Sequence, residues 1–142
     1  MPAPLAALAS HPWAYPAIEV VHLFGVALLL GNLVAFEARV WGAAPTIELR
    51  ALARLSLLIA VAGFSLAALT GMLMFATQPE ALLVNNAFRL KMALLFVAGL
   101  NAAAFHARGS LARLDSWARA QTAVSILIWI AVLTCGRWIA YA

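Results

Sequence analysis

The chain has 142 residues, of which 66% are hydrophobic and 10% are charged, and its formal net charge is +4. A soluble domain of this length cannot hide so much apolar surface, because small folds leave a large share of their residues in water. The composition therefore excludes a soluble globular protein and predicts one integral membrane domain over residues 1–142. The lone cysteine, Cys135, excludes an internal disulfide and any CxxC pair.

The first predicted element is a short N-terminal segment. MPAPLAALAS lacks the basic start of a cleaved signal peptide, so we expect it to be retained. PLAALASHPWAYP is too short to span a bilayer and is rich in proline, so we expect it to lie on the outer membrane interface.

Four runs of about 20 mostly apolar residues follow, which is the length that a membrane span needs. They cover residues 17–36, 55–76, 88–105 and 123–139. Backbone groups find no water in lipid, so these runs must be helices. Short loops make neighbouring helices antiparallel, and the predicted fold is an all-α, up-down-up-down four-helix bundle.

The basic residues predict how the bundle lies in the membrane. Positive charge concentrates in cytoplasmic loops. The loops after the first and third spans carry Arg39, Arg50, Arg54, Arg108, Arg113 and Arg119, and the opposite side carries Arg89, Lys91 and Arg137. This bias predicts a multi-pass protein of a bacterial inner membrane with both termini in the periplasm.

Polar side chains gather at the outer end of the predicted bundle. At a rise of about 1.5 Å per residue, His22 of the first helix reaches the same depth as Thr70, Lys91 and Cys135 of the other three. Ionisable groups inside spans are costly and by default mark a functional site. His22 is therefore either an imidazole bonded to a carbonyl or to Glu19, or a ligand to haem iron or copper.

Three cations share this outer end. Lys91, Arg89 and Arg137 either extend to the lipid headgroups or together hold carboxylates, for which haem propionates are suitable. In the second case Glu19, one turn from His22, would orient the imidazole. Small and hydroxyl residues deeper in the first and second helices predict close helix packing.

Other ligand sets are weaker by geometry. Soft ligands for copper would come from His22, His11, Met72, Met74, Met92 and Cys135. The sulfurs of Met72 and Met74 point about 200° apart on a helix, which disfavours a shared metal. His106 ends the third helix about 20–25 Å from His22 along the bundle, too far for one haem. The second axial ligand stays open, and the sequence has no hydrolase triad or phosphate loop.

Two segments resemble a known superfamily. VVHLFGVALLLGN and NNAFRLKMALLFVAGLNA are similar to small four-helix bacterial membrane proteins that include HemJ-type protoporphyrinogen oxidases and CopD-type copper-resistance domains. The resemblance to uncharacterised members extends through TGMLMFA and GRWIAY, nearly the whole chain. It implies that His22 and Lys91 are needed for function and that haem b is bound.

The expected function is that of a haem b-binding redox protein with its site in the periplasmic half of the bundle. It would exchange electrons with a quinol or porphyrin substrate in the lipid. The alternatives are a cofactor-free subunit of a larger membrane complex or homo-oligomer, copper handling, and protoporphyrinogen oxidation. Whether the chain is an enzyme is left open, and nothing points to a nucleic-acid partner.

Overall fold

The computed structural model describes residues 3–141. Met1 and Pro2, which begin the predicted N-terminal segment, and Ala142 lie outside the described residues. The rest of that segment contains the short helix α1 (Ala3–Ser10), which packs against the two helices that follow it.

Four long helices form the body of the molecule, and each is long and apolar enough to cross a membrane. They are α2 (Ala14–Val40), α3 (Leu49–Thr77), α5 (Asn86–Ala107) and α7 (Ser116–Trp138), joined in part by the short helices α4 (Pro79–Leu83) and α6 (Ser110–Arg113). A 3₁₀ turn, Ile139–Tyr141, follows α7. Residues 3–141 contain no strand. The predicted all-α four-helix bundle is confirmed.

The helices are longer than the predicted spans, mainly at one end. The sequence assigned residues 37–54 to a loop, but α2 continues to Val40 and α3 already begins at Leu49. A count of apolar residues stops at the first charge, whereas a helix continues for as long as its backbone hydrogen bonds are made. The prediction was therefore wrong for Glu37, which lies inside α2 and is buried.

The bundle consists of two antiparallel hairpins. α2 packs along α3, α5 packs along α7, and the hairpins meet mainly where α2 contacts α7. The backbones of α3 and α5 stay apart, and these two helices meet near the terminal end through the stacked rings of Phe75 and Phe88, 5.6 Å between centroids. We call the end at which α2 begins and α7 finishes the terminal end, and the opposite one the far end. The six arginines of the loops after the first and third spans lie at the far end.

Glycines bring α2 and α3 into backbone contact. A Cβ on Gly25 would lie 2.8 Å from both the Ala67 nitrogen and the Gly63 oxygen, and one on Gly63 would lie 2.6 Å from the Gly25 oxygen. Any larger residue would force these backbones apart. The predicted close packing of small residues is confirmed here, and it sets the distance between His22 on α2 and its neighbours on α3.

The far end is closed by a small apolar core and by polar contacts. Phe36 and Phe105 meet edge to face at 6.0 Å between ring centroids. Asp115 caps α7 by accepting from the Ala118 backbone N–H at 3.0 Å, and it pairs with Arg108 at 2.6 Å. The hydrogen bond from Arg108, and after it the one from the Ala118 backbone, hold the pKa of the Asp115 carboxyl well below its usual range.

Candidate functional site

The residues that the sequence predicted to form a site lie at the terminal end. His22 on α2 lies against Gly71 on α3, where an added Cβ would be 3.5 Å from the imidazole Cε1. Lys91 on α5 lies against Gly136 on α7, with its Nζ 3.5 Å from the corresponding Cβ position. Both side chains lie at the terminal end, one on each hairpin. All four long helices thus contribute to one layer.

His22 is held by two groups on α3. Its Nδ1 lies 2.9 Å from the Ala67 carbonyl oxygen and 3.0 Å from the Thr70 Oγ1. A carbonyl oxygen only accepts, so Nδ1 carries the hydrogen and donates it. When the ring is neutral, Nε2 then has the free lone pair. Metal-ligating histidines commonly have this arrangement, in which a backbone carbonyl fixes the tautomer and the ring orientation.

Thr70 fits the same assignment. Its hydroxyl lies 2.8 Å from the Leu66 carbonyl and donates within its own helix. The oxygen lone pairs are therefore left to accept from His22 Nδ1. The imidazole is oriented by a carbonyl and a hydroxyl whose own positions are set by α3.

Glu19 does not have the orienting role that the sequence assigned to it. It is exposed, and among residues 3–141 it makes no hydrogen bond to His22. The reason is direction: Nδ1 faces across the helix contact toward α3, whereas Glu19 lies one turn earlier on α2 itself.

Lys91 is a half-buried cation that lies against Gly136, the residue after the buried Cys135. Among residues 3–141 its ammonium group makes no ion pair, since the single pair found there joins Arg108 to Asp115. A partly buried charge is stabilised when an opposite charge or hydrogen-bond partner neutralises it. Lys91 is therefore the cation of this layer that is best placed to take an anionic group.

The two arginines of the predicted clamp turn to other partners. Arg89 Nε donates to the Leu83 carbonyl at 2.6 Å. Arg137 donates to the Tyr141 hydroxyl at 2.9 Å and stacks over the Tyr141 ring. Both are exposed at the terminal end. They share the end of the bundle with His22 but do not contact it.

The soft-ligand set is dispersed. Met72 and Met92 are 60% and 41% exposed, whereas Cys135 is buried between helices. His11 is exposed, and its Nδ1 accepts from the Trp13 backbone N–H at 3.2 Å. Within residues 3–141, no three side chains of His, Cys, Asp or Glu come together as they would around a metal ion.

One buried ionisable residue escaped the sequence analysis. Glu37 is 3% exposed, and its Oε2 is buried without a hydrogen-bond partner among residues 3–141. It lies fifteen residues after His22 on α2, about 22 Å along the axis. A signal for it exists: Gly25, Leu29, Leu33 and Glu37 recur every four residues, so Glu37 continues the inward-facing stripe of α2.

The terminal-end layer offers two groups to a ligand. One is His22 Nε2, which has a free lone pair when the ring is neutral, and the other is the Lys91 ammonium group, which has no ion pair among residues 3–141. Together these suit a ligand that combines a metal centre with carboxylates. His106, at the far end, is exposed and stacks edge to face on Phe105, so it takes no part in this layer. No family model, curated protein or solved structure matches this chain.

Proposed function

We propose that the chain is a haem b-binding redox protein of a bacterial inner membrane, in which His22 would hold the iron. The observation that supports this most is the bond from His22 Nδ1 to the Ala67 carbonyl. It leaves Nε2 as the ligating nitrogen and makes the ring more basic. Bound haem would supply one-electron transfer between a reduced donor in the lipid and an acceptor outside the membrane.

The chain's own residues would position the group. Lys91 would hold a propionate carboxylate, because its ammonium group has no ion-pair partner among residues 3–141. Arg89 and Arg137 would have to give up their hydrogen bonds to Leu83 and Tyr141 to join it. Thr70 and Ala67 keep the imidazole in the ligating tautomer.

Absorption spectroscopy tests this proposal. Protein purified from haem-replete cells should show a Soret band and, when reduced, the sharp bands of a ligated b-type haem. His22→Ala should lose them. His106→Ala and His11→Ala are matched controls that should keep them, because both side chains are exposed and lie outside the layer.

Three outcomes would contradict the proposal: wild-type protein without a Soret band, a His22→Ala spectrum like that of the wild type, or loss of the band in His106→Ala. Copper in elemental analysis, removed by His22→Ala and without any haem spectrum, would favour copper handling instead. Co-purification with a partner and no cofactor would favour an accessory subunit.

We also propose that both termini face the periplasm. The support is the charge bias, with six arginines toward the far end and three cations at the terminal end. A C-terminal alkaline phosphatase fusion should be active and a green fluorescent protein fusion at the same position dark. The reverse pair of results would overturn the orientation without affecting the haem proposal.

A further inference from the structure

A second candidate site lies between the two hairpins, toward the far end. It is a cavity of about 370 Å³ bounded by α2, α3, α5 and α7. Its polar lining includes Glu37, Asn101, Gln121 and Ser125, and the rest is chiefly aliphatic and aromatic. This volume is in the range of small-molecule sites, about 300–1,000 Å³. Neither His22 nor Lys91 lines it, so it is separate from the terminal-end layer.

Glu37 is the unusual member of this lining. Its side chain is 3% exposed, and the Ser125 side chain lines the same cavity without a hydrogen bond to it. Its Oε2 has no partner among residues 3–141. The side chains of Asn101 and Gln121 are engaged elsewhere, with Asn101 Nδ2 donating to the Gln121 carbonyl at 2.8 Å and Gln121 Oε1 accepting from Ser110. His106 also lines the cavity but forms no ion pair with Glu37.

Burial of the Glu37 carboxyl destabilises the folded protein unless a bound ligand supplies a partner for it. A buried carboxyl without a partner loses its hydration and gains nothing in return. The terminal-end cations are about 20 Å away along the bundle. The far-end arginines are closer, but the single ion pair among residues 3–141 joins Arg108 to Asp115, so none of them pairs with Glu37. A bound group that brings a positive charge and N–H donors would satisfy the carboxyl directly.

The cavity opens sideways rather than to water. Its walls on α3 and α5 belong to two helices whose backbones stay apart and whose stacked Phe75 and Phe88 rings lie nearer the terminal end than the cavity. Val61 and Phe64 of α3 line it while 63% and 45% exposed, and Gly99 of α5 lines it with open space around its Cβ position. In a bilayer this gap faces hydrocarbon. A ligand that uses it must therefore be soluble in lipid.

We propose that this cavity binds a lipophilic organic ammonium ion, entering from the bilayer between α3 and α5, with its N–H groups donating to Glu37. The apolar body lies against the aliphatic lining. The rings of Phe64, Phe105 and Trp129, which line the same cavity, suit a cation because their faces are electron-rich. The site does not depend on haem or on His22.

Calorimetric titration of nanodisc-embedded protein with dodecylammonium chloride, corrected with empty nanodiscs, tests the proposal. We expect saturable binding of one ligand per chain. Glu37→Gln keeps the size and removes the charge, and it should weaken binding on the order of tenfold or more. Glu48→Gln, an exposed acid at the start of α3, is the matched control and should bind like the wild type.

Dodecanol has the same chain and a hydroxyl donor without the charge, and it should show no saturable binding. Equal affinity for dodecanol, unchanged affinity in Glu37→Gln, or no saturable dodecylammonium binding would each overturn the proposal. If Glu37→Gln fails to fold, Gly99→Leu keeps the carboxyl and fills the gap. It should lower the affinity severalfold, and wild-type affinity in Gly99→Leu would refute entry between α3 and α5.

Discussion

The terminal-end layer and the far-end cavity contain the same kind of problem, an ionisable side chain within an apolar bundle, and solve it differently. His22 sits at the glycine contact between α2 and α3, where a carbonyl and a hydroxyl reach its Nδ1 within 3.0 Å. Glu37 sits between hairpins that are not pressed together, and its Oε2 finds no partner in residues 3–141. Close backbone approach supplies partners from the protein itself, whereas loose packing leaves them to a ligand.

The difference follows from residue size. Gly25 and Gly63 let the α2 and α3 backbones touch, so the imidazole of one helix meets the carbonyl of the other. No such contact joins α3 and α5, whose facing surfaces carry Phe64 and the exposed Gly99. The close packing of α2 on α3 orients the His22 side chain, whereas the wider separation of α3 and α5 leaves a cavity.

The largest expected effect comes from a substitution that separates α2 from α3. Gly63→Leu places side-chain atoms where the Gly25 backbone lies, so α2 and α3 must separate, at a cost of about 3 kcal/mol or more. His22 should lose its α3 partners, and the protein should lose the haem spectrum that we propose for it. Gly31→Leu is the control, since its Cβ position has nothing within 4 Å. Unfolding in sodium dodecyl sulfate measures the loss of stability, and the Soret absorbance measures the loss of haem. Equal behaviour of the two variants would refute the role of the close contact between α2 and α3.

The second effect has the opposite sign. Glu37→Met replaces a buried carboxyl by an apolar chain of similar length, so we expect the protein to become more stable by about 1–3 kcal/mol. Dodecylammonium binding should be lost at the same time, as expected when a binding group is kept at a cost in stability. The same denaturant titration measures the gain. A destabilised Glu37→Met protein would mean that the carboxyl already has a partner.

A smaller effect sharpens the account of His22. Thr70→Val removes one of the two acceptors of Nδ1 and leaves the Ala67 carbonyl, so we expect a loss of about 0.6 kcal/mol, typical of polar contacts between membrane helices. The haem spectrum should persist with a shifted reduction potential. Thr134→Val is the control, because Thr134 donates only within its own helix, to the Ile130 carbonyl at 2.9 Å. An unshifted potential in Thr70→Val would remove Thr70 from the site.

The smallest effect concerns the far-end loops. The hydrogen-bonded Arg108 lowers the pKa of Asp115 in the folded protein. The ionised Asp115 carboxyl therefore stabilises the folded protein at pH values above its unfolded-state pKa of 3.8, and this stabilisation is lost as the pH falls toward the folded-state pKa. Asp115→Asn keeps a capping side chain but loses the ion pair. It should have a slightly lower Tm than the wild type at pH 7, and the gap should narrow below pH 4. A gap that does not change with pH would exclude the ion pair as its cause.

Several features followed from the sequence because they depend on local composition. Apolar runs of about 20 residues located the four helices, and short connections set their alternating direction. Depth along antiparallel helices brought His22 and Lys91 to one layer, since a helix rises by a fixed amount per residue. The small residues of α2 and α3 pointed to close packing, which Gly25 and Gly63 show.

Other features depend on where a side chain points and what meets it. The sequence offered Glu19 as the neighbour of His22, yet rotation about α2 turns the imidazole to α3, so Ala67 and Thr70 are its partners. The ends of the helices were also predicted wrongly. A hydropathy count ends a span at a charged residue, and it therefore ended the first span before Glu37, although α2 continues to Val40.

The amino-acid sequence by itself determined that this protein is a four-helix membrane bundle and which polar residues share its terminal end. Hydrophobicity and helix geometry are properties of the chain alone, and they suffice for that. Only the tertiary structure decided which of those polar groups touch, and that Glu37 borders a cavity, because contact depends on how closely each pair of helices packs. That spacing is set jointly by residues far apart in sequence, such as Gly25 and Gly63.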